Sequence, residues 1–183
     1  MLAYEPLLLL LLYGTQKGDL MTESSTEAST GTLVGGLAWQ RKAFLDEAVC
    51  TLLEARNVCV VSTIGKSGSV HSIPVWVDTD GTSVLLNSVD GRGWVRNLER
   101  DERVTCTIVQ TDNPYEFVEI RGRVASRSHD GAEAHIHRLA KKYLDLDEYP
   151  WLRPEDKRVL ITVSPASVFH MRPGAPELAA VEK

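Results

Sequence analysis

Short runs of β-branched residues separated by turn sequences constrain the fold of this chain more than any other feature. The runs cover residues 58–64, 70–77, 83–86, 104–109, 117–125, 159–163 and 167–171. Gly65-Lys66-Ser67-Gly68 and Asp78-Thr79-Asp80-Gly81 predict hairpin turns that join the first three runs as antiparallel strands. Asn113-Pro114 marks a further bend between the fourth and fifth runs, and the last two runs predict one or two closing strands.

Helical periodicity occurs in three shorter segments between these runs. Apolar residues recur at helical spacing over residues 37–55 and 132–144, and a short helical stretch is predicted over residues 92–100. A doubly wound parallel sheet needs a covering helix in every crossover, so this pattern excludes that class. A small antiparallel barrel remains, because closure removes exposed strand edges.

The 183 residues suffice for one globular domain. We expect a split between a disordered leader at residues 1–36, a domain at residues 37–172 and a flexible tail at residues 173–183. The apolar run Leu7–Leu12 is too short to span a bilayer, and no Lys or Arg precedes it as in a secretory signal. We hypothesise that Met21 is the natural start and that the segment before it is a non-native extension.

Charge and cysteine content exclude several classes of function. The formal net charge is −5, and no run of Lys or Arg offers a surface for nucleic acid. The three cysteines are odd in number and lack metal-ligand spacing, so buried free thiols in a reducing cytoplasm are expected. His135 and His137 are two residues apart on a predicted helix, which argues against paired metal ligation and favours surface positions.

Residues 87–104 join a strand end to a helix start and are the first candidate binding segment. Free amides at a helix start favour phosphate, and Gly91 and Gly93 allow an anion to approach closely. Three arginines at i, i+4 and i+8 share one helix face: Arg92, Arg96 and Arg100. Neighbouring acidic residues cancel their charge, so a solvated helix face is the alternative interpretation.

Residues 68–77 are the second candidate segment, in which Pro74 interrupts the strand ladder. His71 and Ser72 could hydrogen-bond a ring system and Trp76 could form its wall, although a structural His beside a core Trp is the alternative. Residues 149–154, Tyr-Pro-Trp-Leu-Arg-Pro, either cover a pocket or form a packed connection, and we favour the connection.

Four stretches carry a family resemblance: Val61-Ser62-Thr63 with residues 68–76, residues 92–104, residues 115–124 and residues 158–163. From Asn57 to about Met171 the chain resembles the flavin/deazaflavin oxidoreductases of the pyridoxamine-phosphate-oxidase-like superfamily, often called PPOX-class F420-dependent enzymes. The resemblance implies a mainly β fold with flanking helices, a six- to seven-stranded antiparallel split β-barrel of the FMN-binding type. It also implies a homodimer with cofactor sites at the subunit interface.

The cofactor-binding residues that the resemblance implies are His71, Ser72, Ile73, Pro74, Asn87, Ser88, Arg92, Gly93, Trp94, Arg96, Tyr115 and Phe117. The first four would line the ring. The Asn-Ser pair would bond its polar edge or its ribityl chain, and the Arg-Gly pair would meet the phosphate. The last two aromatic residues would come from the second subunit.

Trp94 departs from the family pattern, because members that bind F420 usually have a Lys there. Arg92 and Arg96 are the candidates to replace that charge, and Trp94 is a candidate to pack against the ring or narrow the pocket. The resemblance implies an F420-dependent oxidoreductase that transfers a hydride to a small organic acceptor, with His71 and Tyr115 as candidate proton donors. An FMN enzyme and a non-catalytic carrier of F420, a flavin or a tetrapyrrole are the alternatives.

Overall fold

The computed structural model describes residues 29–33 and 37–173 of the protein. In chain order the elements are β1 Ser29–Leu33, β2 Leu37–Lys42, α1 Glu47–Glu54, β3 Cys59–Ile64, β4 Val70–Val75, β5 Val77–Thr79, β6 Val84–Val89, α2 Gly93–Arg100, β7 Arg103–Val109, β8 Phe117–Ser128, α3 Ala132–Leu144 and β9 Arg158–Pro173. The proposed start at Met21, most of the predicted leader and the tail after residue 173 lie outside the described residues.

The strands form one antiparallel sheet, which confirms the predicted mainly β split-barrel class with flanking helices. The strand order is β1-β2-β9-β8-β7-β3-β4, and β6 pairs with both β9 and β5. Strands β4 and β5 therefore lie at opposite ends of the sheet although only Trp76 separates them in the chain. Within the described residues no ladder joins these two strands, so the sheet is not closed.

The described residues contain nine strands rather than six or seven, as the net result of three differences, of which the second lowers the count. The predicted run at residues 70–77 divides at Trp76 into β4 and β5, which pair with different neighbours. The two predicted closing strands are one continuous strand, β9. Strands β1 and β2 were not predicted as strands at all.

The predicted helix over residues 37–55 is wrong in its first part. Residues 37–42 form β2, which pairs with residues 168–173 of β9, and helix α1 begins only at Glu47. Asp46 caps this helix, since its Oδ1 accepts a hydrogen bond of 3.0 Å from the Val49 amide. The prediction of disorder is also wrong for residues 29–33, which pair with β2 as β1.

Buried and outward-facing side chains alternate along β3 and β7 of the barrel, whereas five consecutive residues of β6 are buried. In β3 the side chains of Cys59 and Val61 are fully buried, whereas Val60 between them faces outward. Cys106 of β7 lies opposite Val61 and is also buried. Cys59 and Cys106 are thus buried free thiols, as predicted, whereas Cys50 is only half-buried.

Helix α3 confirms the prediction for residues 132–144 but places one histidine differently. His135 is completely buried, because its helix face packs toward β6 and the candidate site. The expectation that both histidines lie at the surface is therefore wrong for His135. His137 is partly exposed, and its Nδ1 accepts a hydrogen bond of 3.0 Å from the Tyr149 amide.

Gly122 occupies an irregular register between β8 and β9 where a side chain does not fit. A Cβ at this position would lie 2.3 Å from the Ser164 carbonyl oxygen. We expect Gly122→Ala to lower the free energy of unfolding by about 1–3 kcal/mol, measured by urea denaturation. Gly93→Ala is the control, because its nearest contact would be 3.8 Å away at His71; equal stability of the two variants would contradict the steric argument.

Lys142 is half-buried at the end of α3, where its ammonium donates to the carbonyl oxygens of Leu53 and Val77. Burial lowers the pKa of Lys142 to about 8, against the attraction of Asp78 and Glu54. The unfolded chain then binds more protons at this site from pH 8 up to about 10.4, so stability rises with pH across that window.

We expect this rise to be smaller in Lys142→Met than in the wild type when urea denaturation is compared at pH 7 and about pH 10. Lys141→Met is the matched control, because Lys141 is exposed and its ion pairs with Asp145 and Asp147 raise its pKa. Parallel pH dependence of the wild type and Lys142→Met would show that Lys142 is charged in the folded protein throughout.

Candidate cofactor-binding site

A cavity of about 340 Å³ lies where β4, β6, the start of α2 and helix α3 meet. Six of the twelve predicted cofactor-binding residues line it: Ile73, Pro74, Asn87, Ser88, Arg92 and Trp94. The sequence separates these residues into two segments, and the sheet brings the segments together. The volume of the cavity lies toward the lower end of the range for small-molecule sites.

The other six predicted residues do not line this cavity in their own chain. His71 lies beside the start of α2, with its Cε1 3.8 Å from the position of a Cβ on Gly93. The Ser72 hydroxyl is on the outer sheet face, 2.8 Å from the Ser62 hydroxyl. Arg96 is exposed on α2.

Tyr115 and Phe117 lie on the outer side of the β7–β8 hairpin, away from this cavity. Tyr115 is 62% exposed. Phe117 pairs with Val109 across the hairpin, and its ring is 6.0 Å from that of Phe169. Neither side chain lines the cavity in its own chain.

Aromatic residues form one wall of the cavity. The Trp76 ring stacks on Tyr143 at 5.1 Å with an interplanar angle of 3°, and Tyr149 meets the same indole edge-on at 5.8 Å. Trp151 continues the wall at 5.5 Å from Tyr149 and remains 60% exposed at the cavity mouth. The segment 149–154 thus contributes two side chains to the cavity, whereas the sequence favoured a packed connection.

Trp94 is only 2% exposed and belongs to both the core and the cavity wall. The helix face that carries it also buries Val95 and Leu98. An apolar side chain at this position of α2 is therefore part of the packing, so the positive charges of the cavity come from other elements.

Two guanidinium groups provide those charges. Arg92 precedes α2, and Arg158 begins β9, and both line the cavity. Burial lowers the pKa of Arg158, and the positive charge of Arg92 lowers it further, although Tyr149 and Asp156 raise it. Sequence reasoning missed Arg158 as a site residue, because a single arginine at a strand start carries no local signal.

The side chain of Asn87 is already fully bonded within the protein. Its Oδ1 accepts hydrogen bonds of 2.9 and 2.5 Å from Arg158, and its Nδ2 donates to the Ala132 carbonyl at 2.7 Å. The Ser88 hydroxyl is the neighbouring polar group of β6 in the cavity. Asn87 therefore orients Arg158 in this structure, whereas the resemblance implied a bond from Asn87 to the polar edge of the ring or to the ribityl chain.

Chemically, the cavity combines flat apolar walls with two cations at one side. This arrangement fits a planar ring system that carries an anionic group. Within residues 29–33 and 37–173, no group of three or more His, Cys, Asp or Glu side chains could hold a metal ion. No helix of this part of the chain is long and apolar enough to cross a membrane.

Comparison with solved structures supports the fold. The chain is similar to an F420 reductase at 27% sequence identity and a TM-score of 0.60, covering 68% of this chain and 98% of that one. A conserved hypothetical protein from Mycobacterium tuberculosis is 20% identical with a TM-score of 0.53, covering 68% and 82%. General Stress Protein 26 from Bacillus anthracis is 19% identical with a TM-score of 0.53, covering 67% and 90%.

The family comparison covers the whole region that builds the cavity. The model of the pyridoxamine 5'-phosphate oxidase family matches residues 45–172, which is more than half of the chain and includes both candidate segments, α3 and Arg158. The protein thus belongs to the pyridoxamine 5'-phosphate oxidase family and is of the flavin- or deazaflavin-binding oxidoreductase kind.

Proposed function

We propose that this protein is an F420-dependent oxidoreductase that transfers a hydride between the deazaflavin and a small organic acceptor. The observation that carries the proposal is the cavity of about 340 Å³, in which flat apolar walls adjoin Arg92 at the start of α2. The 27% identity to an F420 reductase over nearly its full length favours the deazaflavin.

The chain's own residues would bind and orient such a cofactor. Arg92 and the free amides at the start of α2 would hold its phosphate. Ile73, Pro74 and Trp94 would contact the ring, because their side chains line the apolar part of the cavity. Gly93 would let the phosphate approach the backbone, since nothing lies within 3.8 Å of its missing Cβ.

The bound cofactor supplies the hydride, and the protein contributes orientation and exclusion of water. Trp151 is placed at the cavity mouth, where it can limit access of solvent. His71 and Tyr115 remain the proposed proton donors. His71 is next to Gly93 in the same chain, and Tyr115 would reach the site from a second subunit.

A homodimer is part of the proposal. The outer sheet face carries exposed apolar side chains on four neighbouring strands or their ends: Val58, Val60, Val70, Val109 and Tyr115. Helices α1, α2 and α3 do not cover this face. Exposed apolar side chains on one sheet face are typical of an interface, and a second copy there would bring Tyr115 and Phe117 toward a cofactor.

An FMN-dependent enzyme is the second candidate, and Trp94 is the observation that favours it. Residue 94 lines the cavity as an uncharged Trp. It therefore offers no Lys charge that would favour F420 over FMN. A non-catalytic carrier would use the same cavity. We propose the cytoplasm as the compartment, because the free thiols Cys59 and Cys106 fit a reducing environment.

Titration of the purified protein with oxidised F420 and separately with FMN tests the cofactor. We expect F420 to quench tryptophan fluorescence with the higher affinity, because Trp76, Trp94 and Trp151 line the cavity. Arg92→Ala should weaken this binding by about tenfold or more, through loss of a charge-assisted contact. Arg153→Ala is the control, with the same change in charge on an exposed residue outside the cavity.

Preference for FMN in the same titration would support the second candidate. Tight binding of either cofactor without hydride transfer to any acceptor would support a carrier. Absence of binding to both would contradict the proposal.

Sedimentation or light scattering of Val60→Glu tests the dimer. Val60 faces outward between Pro74 and Thr107, so a carboxylate there would be desolvated in the interface and should dissociate the dimer. Leu146→Glu is the matched control, because Leu146 is 44% exposed on the connection after α3 and away from the sheet face. A wild-type monomer, or a dimer that survives Val60→Glu, would contradict this interface.

A further inference from the structure

The position of Arg158 in the cavity needs a physical reason. Its guanidinium carbon lies 5.2 Å from the centre of the Tyr149 ring, and its side chain is half-buried. Arg92 lines the same cavity. Neither arginine forms an ion pair with a carboxylate of residues 29–33 or 37–173.

Arg158 is half-buried and Arg92 is exposed, and their positive charges repel each other at the cavity that both line. A carboxylate between them would relieve this repulsion. A bound oxyanion has the same effect, because guanidinium groups bind phosphate or carboxylate in a bidentate manner. The pair is therefore arranged for an anion that comes with a ligand.

A buried hydrogen-bond chain holds Arg158 in this position, and its direction follows from the chemistry of each group. Arg158 can only donate, so the Asn87 atom it contacts is Oδ1; the Ala132 carbonyl can only accept, so the other is Nδ2. The second proton of Nδ2 points to His135 Nδ1 at 3.3 Å, which must then accept. The His135 proton is consequently on Nε2, which faces Asp78 Oδ2 at 3.6 Å.

Asp78 faces His135 across this 3.6 Å gap, which is too long for a hydrogen bond, and His135 Nε2 has no hydrogen-bond partner among the described residues. Burial would raise the pKa of Asp78, but the neighbouring His135, the Thr79 amide and the charge of Lys142 together lower it. Every polar atom of the Asn87 amide is used within the protein. The amide is therefore held in one orientation, and its Oδ1 restrains the guanidinium of Arg158.

We propose that Arg158 is a second anion-binding residue, which together with Arg92 binds a phosphate or carboxylate group of the ligand. Asn87 is the positioning residue for its guanidinium, and His135 Nδ1 contacts the Asn87 amide from the other side. This inference rests on the proposed function, because both assume that the cavity is the ligand-binding site. Arg158 of β9 would thus give the cavity a second positive charge beside that of Arg92, since Trp94 of α2 is uncharged.

The first test compares FMN and riboflavin, which differ only in the phosphate, by tryptophan quenching of the full chain. We expect Arg158→Ala to raise the dissociation constant for FMN by about tenfold or more and to leave that for riboflavin nearly unchanged. Arg158→Lys should be intermediate, because it keeps the charge but loses the paired contact. Arg153→Ala should bind both ligands as the wild type does.

The positioning role is tested by two variants of Asn87 that leave Arg158 in the sequence. Asn87→Asp puts a carboxylate against Arg158 and should reduce the FMN-to-riboflavin affinity ratio by neutralising it. Asn87→Leu removes the acceptor and should reduce the same ratio by releasing the guanidinium. Thermal unfolding identifies variants that fail to fold; if Asn87→Leu fails, Asn87→Asp still decides, because its amide-sized side chain preserves the packing.

Two further measurements identify the source of the anion. F420 is titrated alongside FMN, and inorganic phosphate is titrated into free protein and into protein saturated with cofactor. Loss of FMN or F420 affinity in Arg158→Ala assigns the anion to the cofactor. Unchanged cofactor affinity with loss of phosphate binding to the saturated protein assigns it to a second ligand.

The failures of the two proposals can be told apart. If neither cofactor binds but inorganic phosphate does, and Arg158→Ala abolishes that binding, Arg158 is an anion-binding residue and the proposed function is wrong. The inference is overturned if folded Arg158→Ala binds FMN, F420 and phosphate as the wild type does. It is also overturned if the wild type binds none of the three.

Discussion

The hydrogen-bond ladder between β6 and β9 is the interaction on which the candidate site depends. Its register places Asn87 opposite Leu160 and Val89 opposite Arg158, so Asn87 and Arg158 are diagonal neighbours on one face. A slip of one residue would turn the arginine to the other face and separate the pair. Strand β9 also pairs with β8 and, through its second half, with β2, so three neighbouring strands fix its position.

The break between β4 and β5 opens the sheet where the cavity lies. Trp76 lies at this break. Beside it, side chains of helix α3 provide hydrogen-bond partners for the backbone in place of a neighbouring strand. The Val77 amide donates to the Tyr143 hydroxyl at 3.2 Å, and Lys142 donates to the Val77 carbonyl at 2.7 Å. Side chains of α3 thus bond the backbone amide and carbonyl of Val77 at the open edge of the sheet.

Local patterns in the sequence predicted most of the strands but not their partners. Runs of β-branched residues identified β3, β7 and β8. The turn sequence at residues 65–68 identified the β3–β4 hairpin, and Asn113-Pro114 identified the β7–β8 hairpin. The helix prediction for residues 37–42 was wrong because three consecutive apolar residues are compatible with a helix as well as with a strand. Only the pairing with β9, which is distant in the sequence, makes this segment a strand. The prediction for His135 was wrong for a related reason. The helical period tells which face of α3 carries His135, but it does not tell which element packs against that face.

The site was predictable to the extent that it is local. Ile73 to Pro74 and Asn87 to Arg92 are contiguous segments with recognisable composition, and the structure brings them to one cavity. Arg158, Tyr149 and Trp151 come from the segment after α3, and no spacing rule links that segment to residue 92. Their contribution depends on the register of β9 and on the hydrogen bond from Tyr149 to His137.

This distribution bears on how such a cavity selects its ligand. Trp94 is packed into the core, so a charge at position 94 would have to replace a buried indole and leave a void. A guanidinium delivered from β9 avoids that cost, because Arg158 enters from the rim and is held by a network of its own. The second positive charge of the cavity thus comes from β9 and not from position 94 of α2. The proposed anion site accordingly pairs Arg92 with Arg158, two residues that lie 66 positions apart in the chain.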